Sequence, residues 1–406
     1  MIPFRTSPQL LVWRATLALA VVFMMLATTG WTALRTHRDS TAMQSSLSEW
    51  EHGSIRGGPR LPDPKASPAE LSRFFSSLTP RERRGLAHRY PLAVGNMNGA
   101  PTPLRYRANR IALEQARDVE RERVHDSRLS TAGQQDARRR MQRYEALMHP
   151  GRHILAFDPG GSGRVAEVFG DLDRAQRISV VVPGVDTDLL TFERTSREYT
   201  APVGMAKALY AAERQAAPTA RTAVIAWADY TSPDGLGVDA ATAMRAEDGA
   251  VRLNALLRGL PGRAPVSMFC HSYGSVLCGV AAPGMPGRVS DIAVAASPGM
   301  RVAKAAHLRT SARLWAMRDA SDWVQDVPYL EVGGLGHGAD PVSPAFGARV
   351  LSAHDAQGHS GYFQPGTDSL RNLADIGVGA FGAVTCARDE DSCRTGVPDA
   401  APAGRA

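Results

Sequence analysis

The stretch VSMFCHSYGSVLCGVAA (residues 266–282) is the most informative part of the sequence about its fold. A continuous apolar run, which predicts a buried strand, leads directly into a segment of small and apolar residues that predicts a helix. Ser272 lies between the two, with Cys270 and Gly274 two positions before and after it. A serine on a sharp strand-to-helix turn needs small neighbours at these positions, and its hydroxyl then projects from the strand end. The stretch therefore predicts a nucleophile elbow, in which Cys270 stands where glycine is usual.

Further apolar runs on both sides of this stretch alternate with helix-length connections. Near-continuous apolar strands that alternate with helices indicate a mostly parallel sheet buried on both faces. The predicted strands are 153–158, 177–184, 222–228, 266–271, 291–297 and 313–317. The sequence thus predicts an α/β fold, organised as a three-layer sandwich.

Candidate partners for the serine follow it along the chain. Asp319 and Asp322 come just after the last predicted strand, and His354 and His359 lie further downstream. A serine hydroxyl is a weak nucleophile unless a histidine accepts its proton, and a carboxylate then orients the imidazole and stabilises its charged form. One acid and one histidine from these pairs are expected to complete a triad with Ser272.

Asp322 and His359 are the favoured members of the two pairs. A carboxylate needs a few loop residues after the strand before it can turn back toward the serine, which favours Asp322 over Asp319. Gly358 and Gly361 give the loop of His359 the freedom to reach across the sheet edge.

An oxyanion hole is expected from two backbone N–H groups. One belongs to Tyr273, the residue after the nucleophile, and the other to the loop that follows the strand at 177–184. Gly184 permits a close approach of the backbone there, so Val185 or Asp186 would donate the second N–H. An acidic side chain at position 186 would disfavour a developing oxyanion.

The four cysteines form two sequence pairs, neither with the CxxC spacing of a zinc or redox site. Cys270 and Cys278 are expected to be buried thiols. Cys386 and Cys393 are either a short loop disulfide, plausible in an oxidising compartment, or two unrelated thiols. The histidines show no HxxxH or HxH spacing, so neither a metal nor a cofactor is predicted.

The N-terminal region predicts a membrane anchor. Residues 15–34 are uncharged and mostly apolar, close to the length of about 20 residues that crosses a bilayer as a helix. Basic residues without acids precede them, which favours a cytoplasmic segment at 1–14 and a chain outside the cytoplasm. A cleaved signal peptide, and hence a secreted protein, is the alternative.

The remaining divisions follow the composition. They are a linker at 35–67, a helical module at 68–150, the α/β domain at 151–384 and a polar tail at 385–406. The net charge of +7 does not indicate a nucleic-acid partner, because the 47 basic residues include only three lysines and no nucleic-acid-binding motif accompanies them.

Several stretches together resemble one known family. They are SLTPRERRGLAHRYPLAVGNMNGAPTPLRYRANR (77–110), LAFDPGGSGRVAEVFGDLDRAQRISVVVPGVDT (155–187), FCHSYGS (269–275), ASPG (296–299), DWVQDVPYLEVGGLGHGADPVSPAFGARV (322–350) and HSGY (359–362). Over about residues 68–380 the chain resembles the actinobacterial α/β-hydrolase family of unknown function DUF1023. The resemblance implies an α/β-hydrolase fold and a serine-hydrolase-like site at Ser272, Asp322 and His359, with no established substrate.

The sequence therefore predicts a serine hydrolase of the esterase or lipase type. It would act outside the cytoplasm on a small or lipid-like ester, a thioester or an amide, without a cofactor, and the N-terminal helix would hold it at the membrane. The alternative is a catalytically degenerate α/β-hydrolase fold that serves as a membrane-tethered binding or envelope protein.

Overall fold

The computed structural model describes residues 41–55, 60–388 and 391–397. The predicted cytoplasmic segment at 1–14 and the predicted membrane anchor at 15–34 lie outside these ranges. Among the helices of the described ranges, none combines the length and the apolar character needed to cross a bilayer.

An eight-stranded sheet forms the centre of the fold, in the order β1-β2-β4-β3-β5-β6-β7-β10. The strand bounds are β1 His153–Asp158, β2 Arg164–Gly170, β3 Arg177–Val182, β4 Thr222–Ala228, β5 Val266–His271, β6 Val289–Ala295, β7 Arg313–Met317 and β10 Arg349–Val350, while β8 Glu331–Val332 and β9 Leu335–Gly336 form a separate two-stranded sheet. Strand β2 is antiparallel to both β1 and β4, and the other neighbours are parallel. The prediction of a mostly parallel sheet is confirmed.

All six predicted strands are present, whereas β2 and the two-residue β10 were not predicted. Strand β2 is the longer of these two. Its sequence RVAEVFG carries Glu167 at mid-strand, which breaks the apolar pattern. The structure buries this carboxylate against Arg152, with 2.5 Å between Oε2 and Nη2. A paired charge can be buried where an isolated one cannot, and the partner lies in the segment before β1.

Both faces of the sheet are covered, so that alternate residues of a strand enter different cores. On β3, Val181 packs into one apolar cluster, while Val180 and Val182 pack into the other. On β5, Phe269 belongs to the first cluster and Met268 to the second. This two-sided burial explains why the strands read as continuous apolar runs.

Helices cover the sheet and form the N-terminal module. Their bounds are α1 Thr41–Glu51, α2 Pro68–Ser77, α3 Pro80–Arg89, α4 Pro91–Asn96, α5 Thr102–Val124, α6 Thr131–Leu147, α7 Pro202–Ala216, α8 Val238–Ala241, α9 Met244–Gly259, α10 Tyr273–Ala281 and α11 Asp368–Val378. Ser67 and Thr79 cap α2 and α3, and in each case a glutamate three residues later completes a capping box.

Part of the predicted linker at 35–67 is instead structured. Helix α1 lies within it, and the fully buried Trp50 at its end packs against Phe75 and Tyr90. The Trp50 indole N–H donates to the carbonyl of Pro62 at 2.7 Å. The segment was predicted to be a linker because its composition is polar and rich in Gly and Pro. A single large aromatic residue, Trp50, attaches it to the helical module.

The first part of the predicted polar tail at 385–406 is also structured, rather than being a simple polar extension. Cys386 and Cys393 form a disulfide, as one of the two sequence interpretations expected, and both residues are buried. Cys386 also forms a β-bridge with Leu351, next to β10. This part of the tail therefore packs onto the domain rather than extending from it.

Candidate active site

The strand-turn-helix geometry predicted for a nucleophile elbow is present at the carboxyl end of β5. Ser272 joins this strand to α10 with φ 54° and ψ −127°, a strained conformation for a residue with a side chain. The turn needs glycine at position 274, because a Cβ there would lie 2.4 Å from the carbonyl oxygen of Val182. The neighbouring strand stabilises this conformation, because the Ser272 N–H donates to the Ala295 carbonyl on β6 at 3.0 Å.

A disulfide joins the two arms of this elbow, contrary to the prediction of two buried thiols. Cys270 on β5 bonds to Cys278 on α10, and both residues are buried. The pairing arises because α10 turns back along its own strand and brings the two Cα atoms to 6.5 Å. The sequence did not show it, because a separation of 8 residues has no signature of its own.

Ser272, His359 and Asp322 form a continuous hydrogen-bonded chain. The Ser272 hydroxyl donates to His359 Nε2 at 2.9 Å, and His359 Nδ1–H donates to Asp322 Oδ1 at 2.8 Å. This direction follows from the chemistry, because an ionised carboxylate can only accept. The structure thus brings together the three side chains that the sequence analysis favoured, from the ends of three different segments.

Asp322 is completely buried, yet its hydrogen bonds keep it ionised. Burial alone would raise the pKa of its carboxyl group, but the hydrogen bonds from His359, Tyr362 and the Val324 N–H hold that pKa below the ordinary value. The Tyr362 hydroxyl donates to Asp322 Oδ2 at 2.6 Å. Burial beside this carboxylate raises the pKa of Tyr362, so the phenol remains a donor.

His271 was not predicted to have a role in the triad, but it supports the loop of His359. Its Nε2 lies 2.8 Å from the main-chain carbonyl oxygen of His359. Because a carbonyl can only accept, Nε2 carries the proton. Burial, followed by the proximity of His359, lowers the pKa of His271 to about 3, so its ring stays neutral. No sequence signal distinguishes this residue from any other strand-end histidine.

Asp319 and His354, the other acid and histidine considered for the triad, do not join the hydrogen-bonded chain of Ser272, His359 and Asp322. His354 is exposed and pairs with Asp355, with 3.1 Å between Nδ1 and Oδ2. The Asp319 carboxylate accepts the N–H of Gly358 at 3.0 Å and the N–H of Ser321 at 3.0 Å. Asp319 therefore organises the loop that precedes His359 and does not contact the imidazole.

The expected oxyanion loop lies beside the nucleophile. A Cβ on Gly184 would lie 2.7 Å from Cβ of Ser272, so only glycine allows this approach. The Tyr230 hydroxyl fixes the loop by donating to the carbonyls of Pro183 at 2.8 Å and Gly184 at 3.1 Å. Within the described ranges, the N–H groups of Tyr273 and Val185 make no hydrogen bond to the protein.

Asp186 is excluded as the second donor. Its N–H is engaged by the Pro233 carbonyl at 2.9 Å, which leaves Val185 of the two predicted candidates. The carboxylate of Asp186 is exposed and accepts the N–H of Gly235 at 2.7 Å. Its charge is therefore engaged by the neighbouring loop, which reduces the conflict expected with an oxyanion.

The sheet order and the site together define a protein of the α/β-hydrolase fold. The family model Abhydrolase_8, described as "Alpha/beta hydrolase", matches residues 158–332. This range includes β2 to β7, Ser272 and Asp322 and ends before His359. The match supports a hydrolase, while the narrower family suggested by the sequence motifs remains a prediction.

Curated relatives occur in Mycobacterium tuberculosis. The chain is 28% identical over 386 aligned residues to two proteins named "Uncharacterized protein MT2140" and "Uncharacterized protein Rv2079", from strains CDC 1551 and H37Rv. The alignment includes 79% of this chain and 57% of each relative. The chain thus matches little more than half the length of these relatives.

Solved structures show only distant similarity. A 2,6-dihydroxy-pseudo-oxynicotine hydrolase gives a TM-score of 0.36 at 11% identity and covers 77% of this chain and 88% of its own. A thermostable carboxyl esterase from Bacillus coagulans gives a TM-score of 0.21 at 18% identity, covering 36% of this chain and 44% of its own. Similarity this distant does not bear on the activity of the present chain.

Proposed function

We propose that this protein is a serine hydrolase that cleaves an ester, thioester or amide. Ser272 is the nucleophile, His359 the general base and acid, and Asp322 the residue that orients the imidazole. The observation that carries the proposal is the pair of hydrogen bonds at His359, 2.9 Å to Ser272 Oγ and 2.8 Å to Asp322 Oδ1. These contacts have the geometry that a serine triad requires.

In the proposed reaction, Ser272 Oγ bonds to the substrate carbonyl carbon while its proton moves to His359 Nε2. The carbonyl oxygen takes the negative charge and is stabilised by the N–H groups of Tyr273 and Val185. His359 then protonates the leaving group as its bond to carbon breaks, which leaves an acyl-enzyme. Water attacks the acyl carbon, its proton passes to His359 and then returns to Ser272, and the acid is released.

Two residues beside His359 favour the positive charge that its imidazole gains during each proton transfer or leave that charge unopposed. The ionised Asp322 stabilises the imidazolium formed during each proton transfer, and Tyr362 holds the second carboxylate oxygen in place. His271, being neutral, adds no positive charge beside the imidazolium. Its hydrogen bond to the His359 carbonyl restrains the main chain of the loop.

The proposed location is outside the cytoplasm, at the membrane. Two observations support it, namely the apolar segment 15–34 and the pairing of all four cysteines in disulfides. Disulfides persist in oxidising compartments and are rare in the cytosol. Reporter fusions after Pro68 test the location, and a reporter that works only in the cytoplasm should be inactive there.

Covalent labelling tests the activity. A fluorophosphonate should react with the wild-type protein at Ser272, and Ser272→Ala should abolish the label while leaving the protein folded. Hydrolysis of a panel of esters of increasing acyl length would then define the substrate class. A folded protein that neither labels nor hydrolyses any ester would favour the degenerate, binding-only alternative.

A further inference from the structure

Exposed apolar side chains are concentrated around the active site. Nine large apolar residues are well exposed in the described ranges, and seven of them lie in two segments that follow β4 and β7. These seven, here called the apolar rim, are Leu236, Val238, Met244, Trp323, Leu330, Val332 and Leu335. Strands β4, β5 and β7 are parallel in the sheet, so their carboxyl ends lie on the same side of it. The rim and Ser272 both follow these ends and therefore share this edge of the sheet.

Hydrogen bonds tie both segments to the catalytic elements and to each other. The Tyr273 hydroxyl donates to the Thr242 carbonyl at 2.8 Å, and His337 Nε2–H donates to the Ala240 carbonyl at 2.6 Å. The Trp323 ring lies 4.6 Å from the ring of His359, centroid to centroid. The rim therefore flanks both the elbow and the triad histidine.

Two exposed apolar side chains of the second segment lie on a hairpin that is anchored to the domain. Strands β8 (Glu331–Val332) and β9 (Leu335–Gly336) pair with each other. Arg301 anchors them through an ion pair with Glu331 at 2.8 Å and a hydrogen bond to the Gly336 carbonyl at 2.5 Å. Val332 is 68% exposed and Leu335 53% exposed on this anchored hairpin.

The N-terminal chain enters the domain at this same edge. Ala42 lines a cavity together with residues 159–161, which follow the carboxyl end of β1. Strand β1 has the same direction as β4, because β2 is antiparallel to both. The predicted membrane segment ends at position 34, and the eight residues from there to Ala42 span at most about 30 Å. An anchor at 15–34 would thus hold the Ser272 edge toward the membrane.

We propose that the apolar rim docks on a lipid surface and that the substrate is an ester of a lipid held in that surface. The proposal rests on the serine-hydrolase function proposed above. Exposed apolar residues on protruding loops are unfavourable in water and favourable in the boundary between lipid headgroups and acyl chains. Docking would place Ser272 next to the ester bonds of the surface, beside the acyl chains.

The test compares one variant and one matched control in the full-length chain. Val238→Ser/Val332→Ser/Leu335→Ser removes part of the rim without touching the triad, and Val251→Ser replaces a well-exposed apolar residue of α9 that lies outside the rim. The substrates are 4-nitrophenyl acetate in solution and 4-nitrophenyl palmitate carried in phosphatidylcholine vesicles. Fluorophosphonate labelling verifies that each variant retains a folded site.

The rim variant should lose at least tenfold in palmitate hydrolysis on vesicles while its acetate hydrolysis and labelling rate stay within about twofold of wild type. The Val251 control should resemble wild type on both substrates. An equal palmitate rate in wild type and rim variant would overturn the docking proposal, as would equal losses in rim variant and control. If the wild type did not label at all, the serine-hydrolase function itself would fail.

Discussion

His271 donates a hydrogen bond from Nε2 to the main-chain carbonyl of His359, at 2.8 Å. The contact joins the end of β5, which leads into Ser272, to the loop that carries His359. The rings of the two residues also lie 5.1 Å apart, centroid to centroid. The positions of Ser272 Oγ and His359 Nε2 are therefore coupled through a residue that takes no part in proton transfer.

Replacement of His271 should reduce turnover without changing substrate binding. His271→Phe removes the donor, so the loop of His359 gains freedom, and we expect kcat to fall by about 10- to 100-fold with KM little changed. His271→Gln retains an N–H donor and should restore part of the loss. Steady-state kinetics on a soluble ester give the comparison. If Phe and Gln reduced kcat equally, the hydrogen bond would not be the cause.

The identity of the acid and the base can be tested by two pairs of variants. If the proposed triad is correct, Asp322→Asn and His359→Ala should lower turnover by factors of about 10⁴, as removal of triad members does in known serine hydrolases. His354→Ala should leave activity near wild type, because this side chain is exposed. Asp319→Asn should lose less than tenfold, since its amide oxygen can still accept the Gly358 N–H. A larger loss for Asp319→Asn than for Asp322→Asn would contradict the assignment.

The two disulfides should contribute similarly to stability but differently to activity. Their sequence separations are 8 and 7 residues, so the chain-entropy model gives each about 2–3 kcal/mol of unfolding free energy. Removing Cys270–Cys278 loosens the elbow and should slow fluorophosphonate labelling of Ser272. Removing Cys386–Cys393 is the matched control and should leave labelling unchanged. Denaturant unfolding and labelling rates measure the two effects, and equal labelling in both variants would show that the first disulfide does not position the serine.

Glu213 should make the protein less stable as the pH rises. It is fully buried and accepts a hydrogen bond from Ser179, and burial raises its pKa from 4.5 to about 7. A carboxyl with a raised folded pKa contributes stability that is complete below the unfolded pKa and is lost as the pH rises through the folded one. The loss should be on the order of 3 kcal/mol between about pH 4.5 and 7.

Glu213→Gln removes this titration, so its unfolding free energy should rise relative to wild type between pH 5 and pH 8. Urea unfolding at the two pH values measures the difference. An unchanged difference between the two proteins would show that folding does not raise the pKa of Glu213.

Much of the sheet could be predicted from the sequence because its parallel strands are buried on both faces. The residues of TAVIAWA and RLWAM, for example, are apolar at every interior position, which requires no knowledge of their neighbours. Strand β2 was missed because its buried Glu167 depends on Arg152, and helix α1 was missed because its burial depends on Trp50. In both cases a contact with a separate segment determines the structure.

For the candidate site, the sequence alone predicted the elbow at Ser272, offered two acids and two histidines as partners, and favoured Asp322 and His359. The elbow is a local feature, since a strand, a serine and a glycine within a few residues define the turn. The three-dimensional fold was needed to show that Asp322 and His359 meet, that His354 is exposed, that the Asp186 N–H donates to Pro233 and that Cys270 pairs with Cys278. These outcomes depend on where loops from distant strands converge, and sequence spacing does not specify that convergence because loop paths are set by packing against the whole sheet.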